Sequence, residues 1–189
     1  MPTSTTAALH SAPARDRYDS LTIFFHWLTA LLVIALFASA QIWGLLAKGT
    51  SLRGGLQSVH ISLGITLAAL IIARLAWRLS QGRRLPRLEG AAGWAAKAGH
   101  GLLYVLLVAQ ATLGFLLRWA QGETFEFFGI FPIPAPVVID HEMRKFYGGL
   151  HENVAWALII LSALHACAAL WHHYFLRDGV LLRMKPEQD

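Results

Sequence analysis

Nine histidines and one cysteine bound the chemistry open to this 189-residue chain. The single thiol, Cys167, sits inside an apolar run, so the chain cannot build an intramolecular disulfide, a Cys-rich zinc site or an iron–sulfur cluster from its own residues. Redox or metal chemistry therefore falls to histidine. His26, His60, His100 and His165 lie within long apolar stretches, and His151 stands at the mouth of the last one. An ionisable side chain in such a setting is costly and points to function. One alone is explained by a hydrogen bond to a neighbouring helix; four or five together ask for a ligand. His151 and His165 are 14 residues apart. On a helix that is about 21 Å, and fourteen steps of about 100° return to within roughly 40° of the starting face. Two sites are thus stacked on one helix face.

The elements that must hold these side chains are membrane helices. Hydrophobic residues make up 56% of the chain and charged residues 14%, with mean hydropathy +0.49, against about a quarter charged in a soluble domain. Stretches of 28, 20, 20 and 24 residues without Lys, Arg, Asp or Glu lie between Asp19 and Lys48, Arg53 and Arg74, Lys97 and Arg118, and Glu152 and Arg177. About 20 apolar residues cross a hydrocarbon core of about 30 Å, and in lipid each segment must satisfy its own backbone as a helix. The expected fold is an all-α integral membrane four-helix bundle. Its spans are expected at about 20–46, 55–78, 96–118 and 149–175, in one domain over 18–189 that follows a disordered tail at 1–17.

Arg15 and Arg17, with Ala38-Ser39-Ala40 further on, resemble a signal peptide, but the apolar stretch exceeds the roughly 7 to 15 residues of an h-region. The net charge of +5 is spread between the spans rather than gathered into a nucleic-acid patch. Eleven Lys and Arg fall on the side of the two termini and the 74–97 connection, and five (Lys48, Arg53, Arg118, Arg144 and Lys145) fall on the other. Both termini are therefore expected in the cytoplasm. The 119–147 connection carries Pro132, Pro134 and Pro136, which exclude a regular helix, and is expected to cap the outer end of the bundle.

Within those spans His60 lies seven residues inside Arg53 and His151 six past Lys145, at matching outer depth. His26 lies seven past Asp19 and His165 12 before Arg177, both toward the inner surface. The inner two differ in depth by about 7 Å, which helix tilt absorbs. The pattern is two cross-helix pairs, His60 with His151 and His26 with His165. Facing imidazoles are what a six-coordinate haem iron requires, and helix bundles hold such cofactors in their cores. With both axial positions filled by protein, the iron would transfer electrons rather than bind oxygen. Zinc is the rival, as in a histidine-lined metal transporter, yet structural zinc takes four ligands and each layer offers two or three. No Cys-x-x-Cys-His motif is present, so the haem would be non-covalent and of b type.

Arg74 follows His60 by 14 residues and so stands near the inner pair, either as a partner for a haem propionate or as a boundary arginine snorkelling to headgroups. Near the outer pair, one of Arg53, Arg144 and Lys145 is a candidate for the same role. His100, three residues past Lys97, is a candidate for a quinone or a propionate, or else a polar anchor. His172 and His173, with Trp171 and Tyr174, read as an interfacial aromatic belt. Gly54, Gly55 and Gly64 around His60 would let a macrocycle or another helix approach closely.

Several of these residues stand in recognisable company: Phe25-His26-Trp27, Val59-His60 with Gly64, Arg74 with Trp77-Arg78, and Gly99-His100 with Tyr104. Leu150-His151-Glu152, Leu164-His165 and the run His172-His173-Tyr174-Phe175 ending in Leu182-Arg183-Met184 complete the set. Together they resemble the bacterial cytochrome b561 family, in its small four-helix branch related to superoxide oxidase, over about residues 17–186. The resemblance implies two b haems on His26, His60, His151 and His165, in the bacterial inner membrane. It further implies an oxidoreductase passing single electrons from a periplasmic donor, superoxide in the best-known branch, to membrane ubiquinone. The alternative is a cytochrome b subunit serving a partner dehydrogenase, hydrogenase or periplasmic redox protein. The outer segments carry as many acids as bases, so only a local cluster of Arg53, Arg144 and Lys145 would attract an anionic donor.

Overall fold

Asp19 starts the first helix. Its carboxylate accepts from the Thr22 N–H at 2.8 Å and from the Thr22 hydroxyl at 2.7 Å, an N-cap that satisfies a donor the helix leaves open. From there the computed structural model, which describes residues 17–82, 85, 90–122 and 124–185, runs through α1 (Ser20–Gly44), α2 (Ser51–Ser80) and α3 (Gly90–Ala120). A short hairpin of β1 (Phe125–Phe127) and β2 (Phe131–Ile133) then leads to α4 (Arg144–Trp171). All four helices are long and apolar enough to cross a membrane, and the fold is an all-α membrane four-helix bundle. Leu31, Ile34, Ile72, Val105, Ile160 and Leu164 are more than half exposed along them, an outward apolar surface of the kind lipid covers.

The helices do not stop where the apolar runs do. α2 begins at Ser51, α3 at Gly90 and α4 at Arg144, each several residues before the expected span. Hydropathy marks what lipid covers, whereas backbone hydrogen bonding carries a helix on beyond it. α1 ends sooner, at Gly44. There the Leu45 N–H turns back to the Ile42 carbonyl at 3.1 Å, and Arg53 Nη1 donates to the Trp43 and Leu46 carbonyls at 2.8 and 2.7 Å. The expected tail, apart from Arg17, lies outside the described residues, as do Arg83, Arg84, Arg87 and Glu123.

α1 packs chiefly on α2, and α3 on α4, while the two helical pairs touch each other sparsely. At mid-depth Leu32, Leu67, Leu70, Ile71, Leu107 and Leu158 close the gap between them as a buried cluster. Leu158 stands midway between His151 and His165, so this apolar layer separates the two ends of the bundle.

The segment whose prolines exclude a helix forms a β-hairpin instead, pairing Phe125 with Ile133, Glu126 with Pro132 and Phe127 with Phe131. Phe128 and Gly129 both have positive φ (50° and 72°), and the Ile130 N–H bonds the Phe127 carbonyl at 2.9 Å. This is the mirror-image turn that tight hairpins favour, and it suits glycine. Ser62, fully buried on α2, ties the hairpin down: its Oγ accepts from the Phe128 N–H at 2.9 Å and donates to the Ser58 carbonyl at 3.0 Å.

At the opposite end α4 continues as a π-helical turn, His172–Leu176, and the chain folds back through a 3-10 turn at Leu181–Met184. The Tyr18 N–H reaches the Arg183 carbonyl at 3.1 Å, and Trp27 Nε1 reaches the Met184 carbonyl at 2.9 Å. Trp171 and Phe175 stack with centroids 4.2 Å apart, and His172 hydrogen-bonds Asp178. Desolvation pushes the Asp178 carboxyl up, but the His172 bond, the Val180 N–H and the neighbouring imidazole charge together hold it below the usual carboxylate range.

Candidate functional site

His60 on α2 and His151 on α4 face each other across the gap between the helical pairs, with ring centroids 6.4 Å apart. A direct N–H···N bond of about 2.9 Å would bring the centroids to about 5 Å. A metal held between two nitrogens at about 2.0–2.1 Å each would set them at about 6.3 Å. The observed separation fits an intervening iron. His60 Nδ1 sits 3.1 Å from the Leu36 carbonyl and 3.0 Å from Ser39 Oγ, which itself donates to Leu36 at 2.8 Å. These acceptors draw the ring proton to Nδ1 and leave Nε2 with the lone pair a metal needs.

His151 is held differently. Gln110 Nε2 lies 3.1 Å from its Nε2, while His151 Nδ1 and Gln110 Oε1 are buried without a hydrogen-bond partner. Two unsatisfied polar atoms in one contact are costly, and a bound group is what would relieve them. The rings border a cavity of about 610 Å³ lined by all four helices, with Phe37, Trp43, Gly64, Gly114 and Trp156 in its wall. That volume falls within the roughly 300–1,000 Å³ of cofactor pockets. A Cβ added at Gly64 would meet nothing within 4 Å, whereas one at Gly114 would press on His151 Cε1 at 3.3 Å. The residues present fit a haem.

Toward the other end His26 on α1 and His165 on α4 stand with centroids 6.2 Å apart, the same separation by the same criterion. A third imidazole, His100 on α3, lies 5.3 Å from His165. Arg74 Nη2 is 3.3 Å from His26 Nδ1, and its guanidinium lies 5.2 Å from the centre of the Tyr104 ring. Guanidinium only donates, so Arg74 turns inward to the pair rather than out to headgroups. Among the described residues no group of three or more His, Cys, Asp or Glu is placed to hold a bare metal ion.

The charged residues near the hairpin divide. Arg53 is engaged at the end of α1, Arg144 lines the 610 Å³ cavity, and Lys145 does not. Arg118 lines it as well, although the sequence marks it only as the charge ending an apolar run. Gln110 and Ser39 are the other two contributors that the sequence reading missed. Polar side chains inside lipid-spanning segments usually bond across helices, and that rule applied to Gln110 would have flagged it.

The sequence profile of the prokaryotic cytochrome b561 family matches residues 17–187. The chain is similar to cytochrome b561 homolog 2 of Escherichia coli K12, with 33% identity over 171 residues, or 89% of this chain and 91% of the relative. It is similar to homolog 1 of the same organism, with 31% identity over 175 residues, 92% and 99% of the two chains. A probable superoxide oxidase, CybB, of Yersinia pestis is 31% identical over 174 residues, 91% and 97% of the two chains. Apolar helices in a bundle, facing histidines and a match over nearly the whole length agree on b-type haem, electron transfer and a multi-pass bacterial membrane protein. The chain belongs to the prokaryotic cytochrome b561 family.

Proposed function

We propose that the chain is a dihaem cytochrome that takes single electrons from a periplasmic donor, superoxide foremost, and delivers them to membrane ubiquinone. The observation that carries this reading is the pair of imidazole couples, each at the spacing of one iron, on the same helix α4. His60 and His151 would ligate one haem at the hairpin end, and His26 and His165 the other. Each haem, when bound, supplies a one-electron couple whose potential the protein tunes. Leu36 and Ser39 orient the His60 ring, and the His151 Nε2 lone pair, which Gln110 now occupies, is the one an iron would take over. The Leu32, Leu67, Leu70, Ile71, Leu107 and Leu158 layer keeps water out between the two sites. Arg74 stands at the second pair as a positive charge available to a propionate, and His100 is placed beside it for a propionate or a quinone.

The basic excess on the side of the termini supports the hairpin end facing the periplasm and both termini the cytoplasm. The probable superoxide oxidase among the relatives supports the choice of donor. The test is purified chain in detergent with a superoxide source and ubiquinone-1. Quinol formation without any partner protein is expected. Haem reduction only in the presence of a dehydrogenase or redox protein would refute superoxide and favour an electron-transfer subunit.

A further inference from the structure

Ser62 holds the hairpin turn well down the side of α2. The Phe128 N–H donates to its Oγ at 2.9 Å, and higher up Thr124, Phe125 and Glu126 border a pocket of about 330 Å³ with Gly54, Gln57 and Ser58 of α2. Gly54, Ser58 and Ser62 recur every four residues, so a small side chain meets the incoming strand at each turn of the helix. From Gly54 to Ser62 the helix rises about 12 Å, and from Thr124 to Phe128 an extended strand covers about 13 Å. β1 therefore runs along α2 rather than across its end. Two countings place its turn below the membrane boundary. Ser62 lies nine residues past Arg53, the charge that opens the apolar stretch of α2, which is about 14 Å. At the other end Trp77 Nε1 donates to the Asp19 carboxylate at 2.9 Å. Ser62 stands 15 residues from Trp77, about 22 Å, which falls about 8 Å short of crossing a core of about 30 Å. We infer that the hairpin is a re-entrant element seated in the leaflet at that end of the bundle, its outer side against lipid acyl chains and its inner side against the His60/His151 cavity. This placement is the same whichever face of the membrane the termini occupy.

The side chains divide accordingly. Residues 127–139 contain no Lys, Arg, Asp or Glu, and Phe128, Ile130, Phe131, Val137 and Val138 are exposed, Ile130 to 74% and Val138 completely. An apolar cluster of this kind is unfavourable against water and suited to acyl chains. Phe125 points the other way: it is buried and lines the 610 Å³ cavity. The hairpin is thus a partition between lipid and the space that fits a haem. Its backbone meets the condition lipid sets, that irregular chain at membrane depth be satisfied by protein. Pro132, Pro134 and Pro136 carry no N–H to leave unpaired. The Ile130 N–H takes the Phe127 carbonyl at 2.9 Å, and the Phe128 N–H takes Ser62, a hydroxyl supplied from the helix at that depth. Glu126, the charge just before this run, stands at the 330 Å³ pocket with Gln57, Ser58 and Thr124, apart from the exposed apolar side chains.

The test uses the chain with its haems bound, in nanodiscs of phosphatidylcholine carrying a diazirine midway along the acyl chain. After irradiation, mass spectrometry should find lipid adducts on the 127–139 peptide as well as on the helices. In a Cys167→Ser background, nitroxides attached to Lys48→Cys, Ile72→Cys and Ile130→Cys are then compared for collision with oxygen, which concentrates in lipid, and with a nickel chelate that desolvation keeps out of it. Lys48 lies in the connection between α1 and α2, and Ile72 is exposed on the lipid-spanning part of α2. The oxygen-to-nickel collision ratio at Ile130→Cys should exceed that at Lys48→Cys by at least about tenfold and approach that at Ile72→Cys. A ratio equal to that at Lys48→Cys, with adducts on the helices and none on 127–139, would overturn the re-entrant hairpin and leave an aqueous cap. Shielding from both collision partners, with dipolar broadening between labels on two chains, would overturn lipid as the occupant in favour of a second copy. If labelling Ile130→Cys costs a haem, the adduct pattern of the wild type decides alone.

Discussion

Replacing Ser39 with alanine should raise the reduction potential of the haem between His60 and His151 and leave the other haem unmoved. Ser39 Oγ is one of two acceptors for the His60 Nδ1 proton, at 3.0 Å against 3.1 Å for the Leu36 carbonyl. An acceptor there makes the imidazole a stronger donor to iron and favours the ferric state, so its loss favours the ferrous state. A net hydrogen bond between neutral groups contributes about 0.5–1.5 kcal/mol. Leu36 remains, and its carbonyl is freed from the Ser39 hydroxyl it now accepts at 2.8 Å, so the lower part of that range applies. About 0.5–1 kcal/mol corresponds to about 20–45 mV for one electron. The assay is an optical redox titration of the α-band in detergent, resolved into two one-electron components. One component should rise by that amount, and Ser39→Thr, which keeps the hydroxyl, should restore it. A change under roughly 10 mV, a fall, or a shift of the other component would refute the assignment of Ser39 as the residue that tunes His60.

Arg74→Gln should lower the potential of the second haem, because a positive charge beside His26 favours the electron-rich state. At an effective dielectric of about 20 and a distance of about 7 Å the change is on the order of 100 mV, read in the same titration, and a rise would count against Arg74 standing at that pair. Ser62→Ala strips the Phe128 N–H of its buried acceptor, at a cost of about 1–3 kcal/mol. Hydrogen exchange at Phe128 should accelerate accordingly, whereas unchanged protection would mean the hairpin is held elsewhere. The Asp178 carboxyl is depressed in the fold, so its contribution is complete above the ordinary value of 3.8 and is lost as pH falls through the lower folded value. Protection of the Val180 amide, which bonds Asp178 at 3.1 Å, should drop below about pH 3.8 and lose this dependence in Asp178→Asn. A flat profile in the wild type would contradict the coupling.

What the sequence makes legible here is what helical periodicity encodes. Charge-free stretches locate four helices, and the 14-residue step from His151 to His165 sets two levels on α4 that His60 and His26 then meet at 6.4 and 6.2 Å. Depth counted from flanking charges works because lipid fixes where those charges stop. The same arithmetic is blind to contacts made by single polar residues inside apolar runs. Ser39, Gln110 and the inward turn of Arg74 depend on helix rotation and on which side chain fills a gap, and neither has a period. The prolines of the 119–147 segment say that no helix forms there. The hairpin that forms there is tied to Ser62, more than sixty residues earlier, which offers a buried acceptor to Phe128. Arg118 reads as a boundary charge until the hairpin folds over it and turns the boundary into a wall shared by two cavities.

The measurement that tests the central claim most directly is haem per polypeptide by pyridine haemochrome, on detergent-purified wild type and His151→Ala. Two b haems in the wild type and one in the variant are expected, with the survivor at the His26/His165 pair. A single haem in the wild type, or two retained without His151, would contradict the assignment of one iron to each imidazole couple.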